Sequence, residues 1–181
     1  MGELVRAFFA ALPDERTRER IASLSEALDL DKGSRRTPLE NLHMTVAFVG
    51  ELAPEQIALL RELGAKQRAQ QFVLRLDTYE YWAVPKIVVA LASELPAALQ
   101  ALRAGLRDGL ARSGLALDPK PFRPHLTLAK KVLQAPELQA MSEVAWRVRG
   151  FQLMRSVQAA RGSVYTVLDT WPLLDESAEH R

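Results

Sequence analysis

Two short segments of the chain each place a histidine and a threonine two residues apart. Residues His43–Val46 read His-Met-Thr-Val, and residues His125–Leu128 read His-Leu-Thr-Leu. Successive side chains of a β-strand point to opposite faces, so the histidine and threonine of each segment share one face and its two apolar residues share the other. We therefore expect two strands, each presenting a polar pair to one side and an apolar pair to the protein core.

Two imidazoles and two hydroxyls suit acid–base chemistry on a phosphodiester. Imidazole has an ordinary pKa near ~6.5 and can donate or accept a proton at neutral pH. Opening a cyclic phosphodiester requires a base for the attacking water, an acid for the departing sugar oxygen and donors for the charged phosphate oxygens. We predict that His43 and His125 form the acid–base pair and that Thr45 and Thr127 are the donors, with no metal or other cofactor. The residue types leave open which histidine is the acid.

Simpler interpretations of this spacing exist. An isolated histidine two residues before a threonine is more often a half-buried imidazole beside an ordinary β-branched strand residue. The repetition of the pair in matched settings favours catalysis. A zinc site is disfavoured because zinc takes three or four protein ligands, while the chain has no cysteine and its third histidine, His180, falls in the C-terminal tail.

The two motif strands lie in similar surroundings. Residues 14–49 and residues 96–130 share one order of elements: a helix, a basic loop that contains proline, and a strand that begins with histidine. Two copies are fewer than a repeat array usually needs. This recurrence predicts two similar half-lobes that face each other.

Hydrophobic spacing predicts the individual elements. The predicted strands are Leu4–Leu12, Leu42–Val49, Phe72–Thr78, Lys86–Ala92, His125–Lys130, Val144–Leu153 and Ser163–Leu168, and the predicted helices begin at Pro13, Pro54 and Leu95 and end near Gly33, Ala69 and Gly114. We expect the strands at 72–78 and 86–92 to pair around a Tyr79–Trp82 connection. The alternation of helices and strands indicates a mixed fold.

Composition limits the class of protein. A chain of 181 residues with 48% hydrophobic side chains can bury one core, so we expect a single domain over residues 1–174 and a flexible tail over 175–181. The net charge of +2 does not predict that the whole surface binds nucleic acid electrostatically. The absence of cysteine excludes a disulfide framework and a thiol nucleophile. No signal peptide and no apolar run of ~18 residues is evident. We expect a cytoplasmic monomer that does not associate with membranes.

The motifs and their flanking residues resemble a known family. Residues 38–42 read Pro-Leu-Glu-Asn-Leu before the first motif, and residues 121–124 read Pro-Phe-Arg-Pro before the second. With the two histidine motifs, they resemble the 2H phosphoesterase superfamily, and within it the RNA 2′,3′-cyclic phosphodiesterase family, historically called 2′-5′ RNA ligase. The resemblance runs from residues 6–9 to residues 171–173. It implies an α+β, bilobal fold in which two pseudo-symmetric antiparallel sheets line a central cleft, with helices on the outer faces.

The same resemblance implies an activity and a role for each motif residue. His43 corresponds to the proton donor, His125 to the proton acceptor that activates water, and Thr45 and Thr127 to phosphate ligands. The implied substrate is RNA with a 2′,3′-cyclic phosphate terminus, and the implied product is a 2′-phosphomonoester. Three alternatives stay open: the reverse ligation to a 2′-5′ linkage, hydrolysis of a small cyclic nucleotide, and a non-catalytic module that binds RNA ends.

Two further positions match the family pattern less directly. Simple alternation places Phe48 on the strand face opposite His43, which predicts core packing, whereas the resemblance implies an aromatic ring that stacks on the terminal base. Lys130 stands where the family usually carries arginine. It can supply a positive charge to the phosphate but lacks the bidentate fork of a guanidinium group.

Other basic and aromatic residues lie outside the motifs. We expect a group of basic residues to lie near the mouth of the cleft, namely Arg35, Arg36, Lys120, Arg123 and Lys131. The three tryptophans, Trp82, Trp146 and Trp171, are not sequence neighbours of either motif and are therefore expected in the core or at sheet edges.

Overall fold

The computed structural model of the chain describes residues 4–115, 117, 121–160 and 162–175. The three α-helices among these residues are α1 Glu15–Glu26, α2 Gln56–Ala65 and α3 Ala97–Arg112, and a short 3-10 helix spans Leu39–Asn41. The ten strands are β1 Val5–Ala11, β2 Arg35–Arg36, β3 Met44–Leu52, β4 Phe72–Leu76, β5 Thr78–Trp82, β6 Ile87–Leu91, β7 His125–Lys130, β8 Val144–Val148, β9 Gly150–Ala159 and β10 Gly162–Pro172. Apart from Asp175, the predicted tail, and with it His180, lies outside the described residues, as does Lys120.

Antiparallel pairing joins eight of the strands into one sheet. Its order is β10-β9-β1-β3-β7-β6-β5, with β2 alongside β7, and β4 and β8 form a separate two-stranded sheet. The predicted α+β class is therefore confirmed. The two halves of the large sheet meet through a single residue pair, Met44 with Leu126. The two sheets implied by the family resemblance are thus two halves of one hydrogen-bonded surface, joined at the motif strands.

Two strand predictions in the middle of the chain are wrong. Strand β4 pairs with β8 and not with β6, while the predicted connection Tyr79–Trp82 belongs, with Thr78, to β5, which pairs with β6. The β-branched and aromatic side chains of β5 suit a strand, and the Lys86 amide donates to the Trp82 carbonyl to close the β5–β6 turn. The predicted strand at 144–153 is also interrupted at Arg149, and its two parts, β8 and β9, belong to different sheets.

Helices α1 and α2 end earlier than predicted, because later residues make other backbone contacts. At the end of α1, the Arg36 guanidinium donates to the carbonyls of Ser25 and Leu28. After α2, Leu174 donates to the Ala69 carbonyl and accepts from the Gln71 amide. The first turn therefore depends on the following loop, and the second depends on a residue near the other end of the described chain.

The main core lies on the face of the large sheet opposite the threonine of each motif. The predicted leucine and isoleucine stripes of α1 and α3 are buried there, namely Ile21, Leu24, Leu28, Leu99, Leu102 and Leu106. Trp146 is fully enclosed as expected. Trp171 packs on α2, where a Cβ at Gly64 would lie 2.5 Å from its ring. No helix of the described residues is long and apolar enough to cross a membrane.

Each motif strand is supported by a helix from the other half of the chain. Helix α1 precedes the first motif but contacts β7 and β8, whereas α3 precedes the second motif and contacts β3. The two half-lobes therefore exchange supporting helices. Neither motif strand is positioned by its own half alone.

A β-bulge follows the threonine of each motif. Strand β1 pairs Phe9 with Ala47 and Ala10 with Thr45, so Val46 has no partner in the register. Strand β6 likewise pairs with Ala129 and then with Thr127, so that Leu128 is skipped on β7. Both bulges fall three residues after the motif histidine. A bulge interrupts the alternation of side chains, so the residues that follow it change faces.

Side chains of the exchanged helices bind the carbonyl groups at these bulges. The Val46 carbonyl accepts a 2.8 Å hydrogen bond from Nη1 of Arg103 on α3. The Leu128 carbonyl accepts from Oγ of the buried Ser25 on α1 at 3.1 Å, and from the Thr37 amide at 2.8 Å. An unpaired carbonyl inside a protein is costly, so these donors stabilise both irregular strands.

Replacing the donor from α3 should weaken the first bulge. Arg103→Met leaves the Val46 carbonyl without its charged donor, and we expect the free energy of unfolding to fall by about 2 kcal/mol. Arg107→Met on the same helix is the matched control, because Arg107 is exposed and pairs with its neighbour Asp108. The control should change stability by less than about 0.5 kcal/mol in urea denaturation. Equal losses in the two variants would refute the role assigned to Arg103.

Candidate active site

The two motif histidines are held by identical backbone contacts. Nδ1 of His43 lies 2.7 Å from the carbonyl oxygen of Asn41, and Nδ1 of His125 lies 2.7 Å from that of Arg123. A carbonyl can only accept, so Nδ1 carries the proton in both rings. In the neutral imidazole, Nε2 is then the unprotonated nitrogen. Each histidine therefore has Nε2 available to exchange a proton with a ligand.

The contact between the two half-sheets brings the polar pairs together. Met44 and Leu126 pair across the junction and are completely buried. Extending the same antiparallel register places His43 opposite Thr127 and Thr45 opposite His125, all four on the other face of the sheet. These four side chains are half-buried. The structure thus gathers the four residues singled out in the sequence into one site.

Burial and neighbouring charge affect the protonation of His43. Its partial burial lowers its pKa, and the hydrogen bond to Asn41 opposes this change. The positive charges of Lys130 and His125 lower the pKa of His43 further. Groups from the second half of the chain therefore act directly on the histidine of the first half.

His125 is affected in the same direction. Burial lowers its pKa most, the hydrogen bond to the Arg123 carbonyl raises it, and the Arg123 charge lowers it. Both histidines thus hold protons less tightly than a free imidazole does. An anion bound between them would favour their protonated forms.

The first half-sheet forms a recess lined by the first motif, and Phe48 belongs to it. This cavity of about 140 Å³ is lined by Arg6, Phe8, His43, Thr45, Phe48, Ser156, Gln158, Ser163 and Tyr165. The prediction that Phe48 packs in the core on the opposite strand face is wrong, because the bulge at Val46 returns Phe48 to the face of Thr45. The Arg6 guanidinium lies 5.0 Å from the centre of the Phe48 ring. We call this cavity the aromatic recess.

The second half-sheet forms a larger recess beside the second motif. Its volume is about 670 Å³, and it is lined by Gly33, Pro85, Lys86, Ile87, Thr127, Lys130, Lys131 and Leu133. The bulge at Leu128 places Lys130 on the side of Thr127, just as the first bulge does for Phe48. Phe48 and Lys130 both stand five residues after their motif histidine. We call this second cavity the lysine recess.

Trp82 contacts the second motif histidine, contrary to the sequence-based expectation. Its ring centre lies 4.5 Å from that of His125. The indole Nε1–H donates to the Glu80 carboxylate, which also accepts from Arg123 at 2.6 Å. Strand β5, of which Tyr79–Trp82 were predicted to form a connection, therefore supplies one wall of the site. Recognising that strand would have placed Trp82 in a hairpin beside β7.

Two aromatic rings enclose the first motif histidine in a comparable way. Tyr165 lies 4.8 Å and Phe8 lies 5.3 Å from the His43 ring, centre to centre. Neither was singled out in the sequence as a site residue. Tyr165 reaches His43 from β10, across β9 and β1. Because that placement depends on the register of three strands, no local pattern indicates it.

The basic residues expected at the cleft mouth have separate roles. Arg36 binds the carbonyls at the end of α1, and Arg123 pairs with Glu80. Arg35 is the register partner of Lys130, and Lys131 lines the lysine recess. Among the described residues, no group of three or more His, Asp or Glu side chains could hold a metal ion.

Comparisons with known proteins agree with this architecture. A family model described as the 2′-5′ RNA ligase superfamily matches residues 13–160. An RNA 2′,3′-cyclic phosphodiesterase of Escherichia coli is 33% identical over 175 residues, which cover 96% of this chain and 99% of the relative. A protein of the same name from Thermus thermophilus is 29% identical, with coverage of 95% and 92%.

Solved structures share the fold over almost the whole chain. A crystal structure described as a phosphoesterase aligns with a TM-score of 0.85 at 31% identity and covers 94% of this chain and 99% of that one. E. coli LigT complexed with 3′-AMP aligns with a TM-score of 0.84, the same identity and the same coverage. With its paired histidine motifs on one sheet face, the chain belongs to the 2′-5′ RNA ligase superfamily, the two-histidine phosphoesterases that its sequence resembles.

Proposed function

We propose that this protein hydrolyses 2′,3′-cyclic phosphate ends of RNA to 2′-phosphomonoesters without a metal ion. The observation that carries the proposal is the pair of histidines whose Nδ1 atoms are fixed by backbone carbonyls, which leaves both Nε2 atoms for proton transfer. Relatives at 26–33% identity that are named RNA 2′,3′-cyclic phosphodiesterase support the choice of substrate. One acid and one base are what this hydrolysis needs.

The reaction can be written from the groups present. Nε2 of neutral His125 takes a proton from water as the water oxygen attacks phosphorus. The bond between phosphorus and the 3′ oxygen breaks, and Nε2–H of protonated His43 donates its proton to that oxygen. The products are a 2′-phosphate and a 3′-hydroxyl, after which the histidines exchange protons with solvent. Assigning the acid to His43 and the base to His125 rests on the family resemblance, because their contacts are equivalent.

The hydroxyls and the residues beyond the bulges complete the proposed site. Thr45 and Thr127 would donate to the non-bridging phosphate oxygens, whose charge grows in the transition state. Phe48 would stack on the terminal base, with Arg6 above its ring. Lys130, whose charge already acts on His43, would attract the phosphate. These contacts explain how the site could work with side chains alone.

Hydrolysis is favoured over the reverse ligation by concentration. Both reactions pass through the same site, but water at ~55 M competes with a hydroxyl that must be brought from a second RNA end. A binding module without catalysis would not need two imidazoles held for proton transfer. We therefore assign ligation to conditions in which the two RNA ends are held together.

The histidines should be indispensable to the reaction. We expect His43→Ala and His125→Ala each to lower kcat at least about 100-fold, because each removes a proton-transfer group. The measurement is product analysis of an oligoribonucleotide that ends in 2′,3′-cyclic phosphate, in the presence of EDTA. His180→Ala is the matched control, since this histidine lies outside both motifs, and it should retain full activity.

Three outcomes of that assay would count against the proposal. If the unmodified protein does not open the cyclic phosphate in EDTA, metal-free hydrolysis is wrong. If both motif variants remain active, the acid–base assignment is wrong. A 3′-phosphate product would reject the proposed leaving group.

The rate of hydrolysis should rise and then fall as the pH increases. The base must be neutral and the acid protonated, so kcat/KM should be bell-shaped and report the coupled pair in the free enzyme. Burial lowers the pKa of both histidines, so we expect the kcat/KM maximum on the acid side of ~6.5. Bound anionic substrate favours the protonated acid and should move the kcat maximum to higher pH. A flat kcat/KM profile between pH 5 and 8 would contradict the imidazole pair.

The base contact assigned to Phe48 can be isolated. Phe48→Ala should lower kcat/KM about tenfold on an adenosine-terminated substrate, because stacking contributes ~1–3 kcal/mol per base. Phe48→Trp should restore most of the loss. Ribose 2′,3′-cyclic phosphate without a base is the control substrate, and Phe48→Ala should leave its rate unchanged. An equal loss on both substrates would show that Phe48 does not act through the base.

A further inference from the structure

The lysine recess holds more positive charge and volume than the cyclic phosphate itself requires. Exposed lysines at positions 86, 130 and 131 surround it, and none of the described residues that line it is acidic. Its apolar wall is formed by Ile87, Pro85 and Leu133. About 670 Å³ lies within the range of pockets that hold a drug-sized ligand, and a nucleotide is of that size.

The rim of this recess is a fixed structure. One carboxylate oxygen of Asp31 accepts from the Gly33 amide and the other accepts from the Leu133 amide, both at 3.0 Å. The Val132 amide donates to the Lys86 carbonyl at 3.1 Å, which ties the β5–β6 turn to the end of β7. Lys86 and Lys131 have φ angles of 66° and 57°. Non-glycine residues rarely adopt this conformation, which the contacts of the rim maintain.

The recess is continuous with the site of reaction. Thr127 and Lys130 line it, and both also belong to the proposed phosphate site. A ligand in the recess would therefore lie directly beside the cyclic phosphate. In an RNA substrate, the nucleotide that precedes the terminal one is joined to O5′ of the same ribose that carries the cyclic phosphate, so it is the next group of the chain that could enter the recess.

The aromatic recess and the lysine recess differ in chemistry, as a base differs from a phosphodiester. At equivalent positions, the aromatic recess has Phe48 and the lysine recess has Lys130. Aromatic rings suit a base, whereas ammonium groups beside an apolar surface suit a phosphodiester and its sugar. Arg35, the register partner of Lys130, adds a fourth cation next to the recess.

We propose that the lysine recess is a subsite for the penultimate nucleotide of the RNA, with Lys86 and Lys131 binding its phosphodiester. The inference rests on the proposed function and extends it: the preferred substrate is an oligoribonucleotide end and not a mononucleotide. In this arrangement the terminal base lies in the aromatic recess, the cyclic phosphate lies at the two histidines, and the penultimate nucleotide, joined through O5′ of the terminal ribose, lies in the lysine recess.

The test compares two substrates with the same reacting group. These are tetraadenylate ending in 2′,3′-cyclic phosphate and adenosine 2′,3′-cyclic monophosphate. The variants are Lys86→Asn and Lys131→Asn, since asparagine tolerates a left-handed backbone better than most residues. Lys66→Asn at the end of α2 is the matched control, because its exposed side chain is distant in the fold and pairs only with Glu62 among the ion pairs described.

Each recess variant should lower kcat/KM for the tetramer about fivefold and leave that for the monomer within twofold. The dependence of log kcat/KM on log salt for the tetramer should become shallower by about 0.7 for each lysine removed. Lys66→Asn should change neither quantity. Unchanged monomer activity also shows that the variants are folded.

The other outcomes are distinct. Equal losses on both substrates would overturn the inference and place the terminal nucleotide in the lysine recess. Unchanged tetramer kinetics in both variants would also overturn it, while leaving the proposed function intact. If the unmodified protein opens neither substrate, the proposed function fails, and the subsite for this chemistry fails with it.

Discussion

The pairing of Met44 with Leu126 is the contact on which the site depends. Each of these residues directly follows a motif histidine, and both are completely buried where the two half-sheets meet. Burying each such side chain contributes about 1.5–3 kcal/mol. Because neighbours on a strand point in opposite directions, burial of this pair fixes both histidines on the opposite face. The hydrophobic effect thus sets the relative position of the two motif histidines, which are far apart in the sequence.

The two β-bulges bring Phe48 and Lys130 to the open face of the sheet, which regular strands would not do. With strict alternation, Phe48 and Lys130 would point into the core, and Ala47 and Ala129 would follow the histidine and threonine on the open face. The bulges at Val46 and Leu128 reverse them, and the freed carbonyls are bound by Arg103 and Ser25. Since each donor comes from the helix of the other half, the two halves stabilise each other's bulges. The packing of these two helices therefore also helps to determine which side chains reach the open face of the sheet.

The sequence predicts the motif strands because the alternation of polar and apolar residues lies within each strand. Alternation placed the histidine and threonine together, and leucine spacing identified the buried faces of α1 and α3. The same rule failed for Phe48, since a bulge is a property of two paired strands and is not visible in one. Local patterns also gave no indication of the contacts that Trp82 and Tyr165 make with the histidines, because those contacts depend on which strands pair. The pairing of β4 with β8 involves residues about seventy positions apart and has no local signal.

The two motif strands and their backbone contacts are pseudo-symmetric, whereas the proposed substrate is not. The two histidines have equivalent backbone contacts and pKa changes of the same sign, so the frame alone does not distinguish acid from base. The difference enters through the residues beyond the bulges and the rings beside them. Phe8, Tyr165 and Phe48 surround the first motif with aromatic surface, whereas Lys130 and its neighbours surround the second with positive charge. In the proposed complex, the base would fit the aromatic surroundings and the phosphodiester the basic ones, so the direction of the bound chain would select which histidine meets the leaving oxygen.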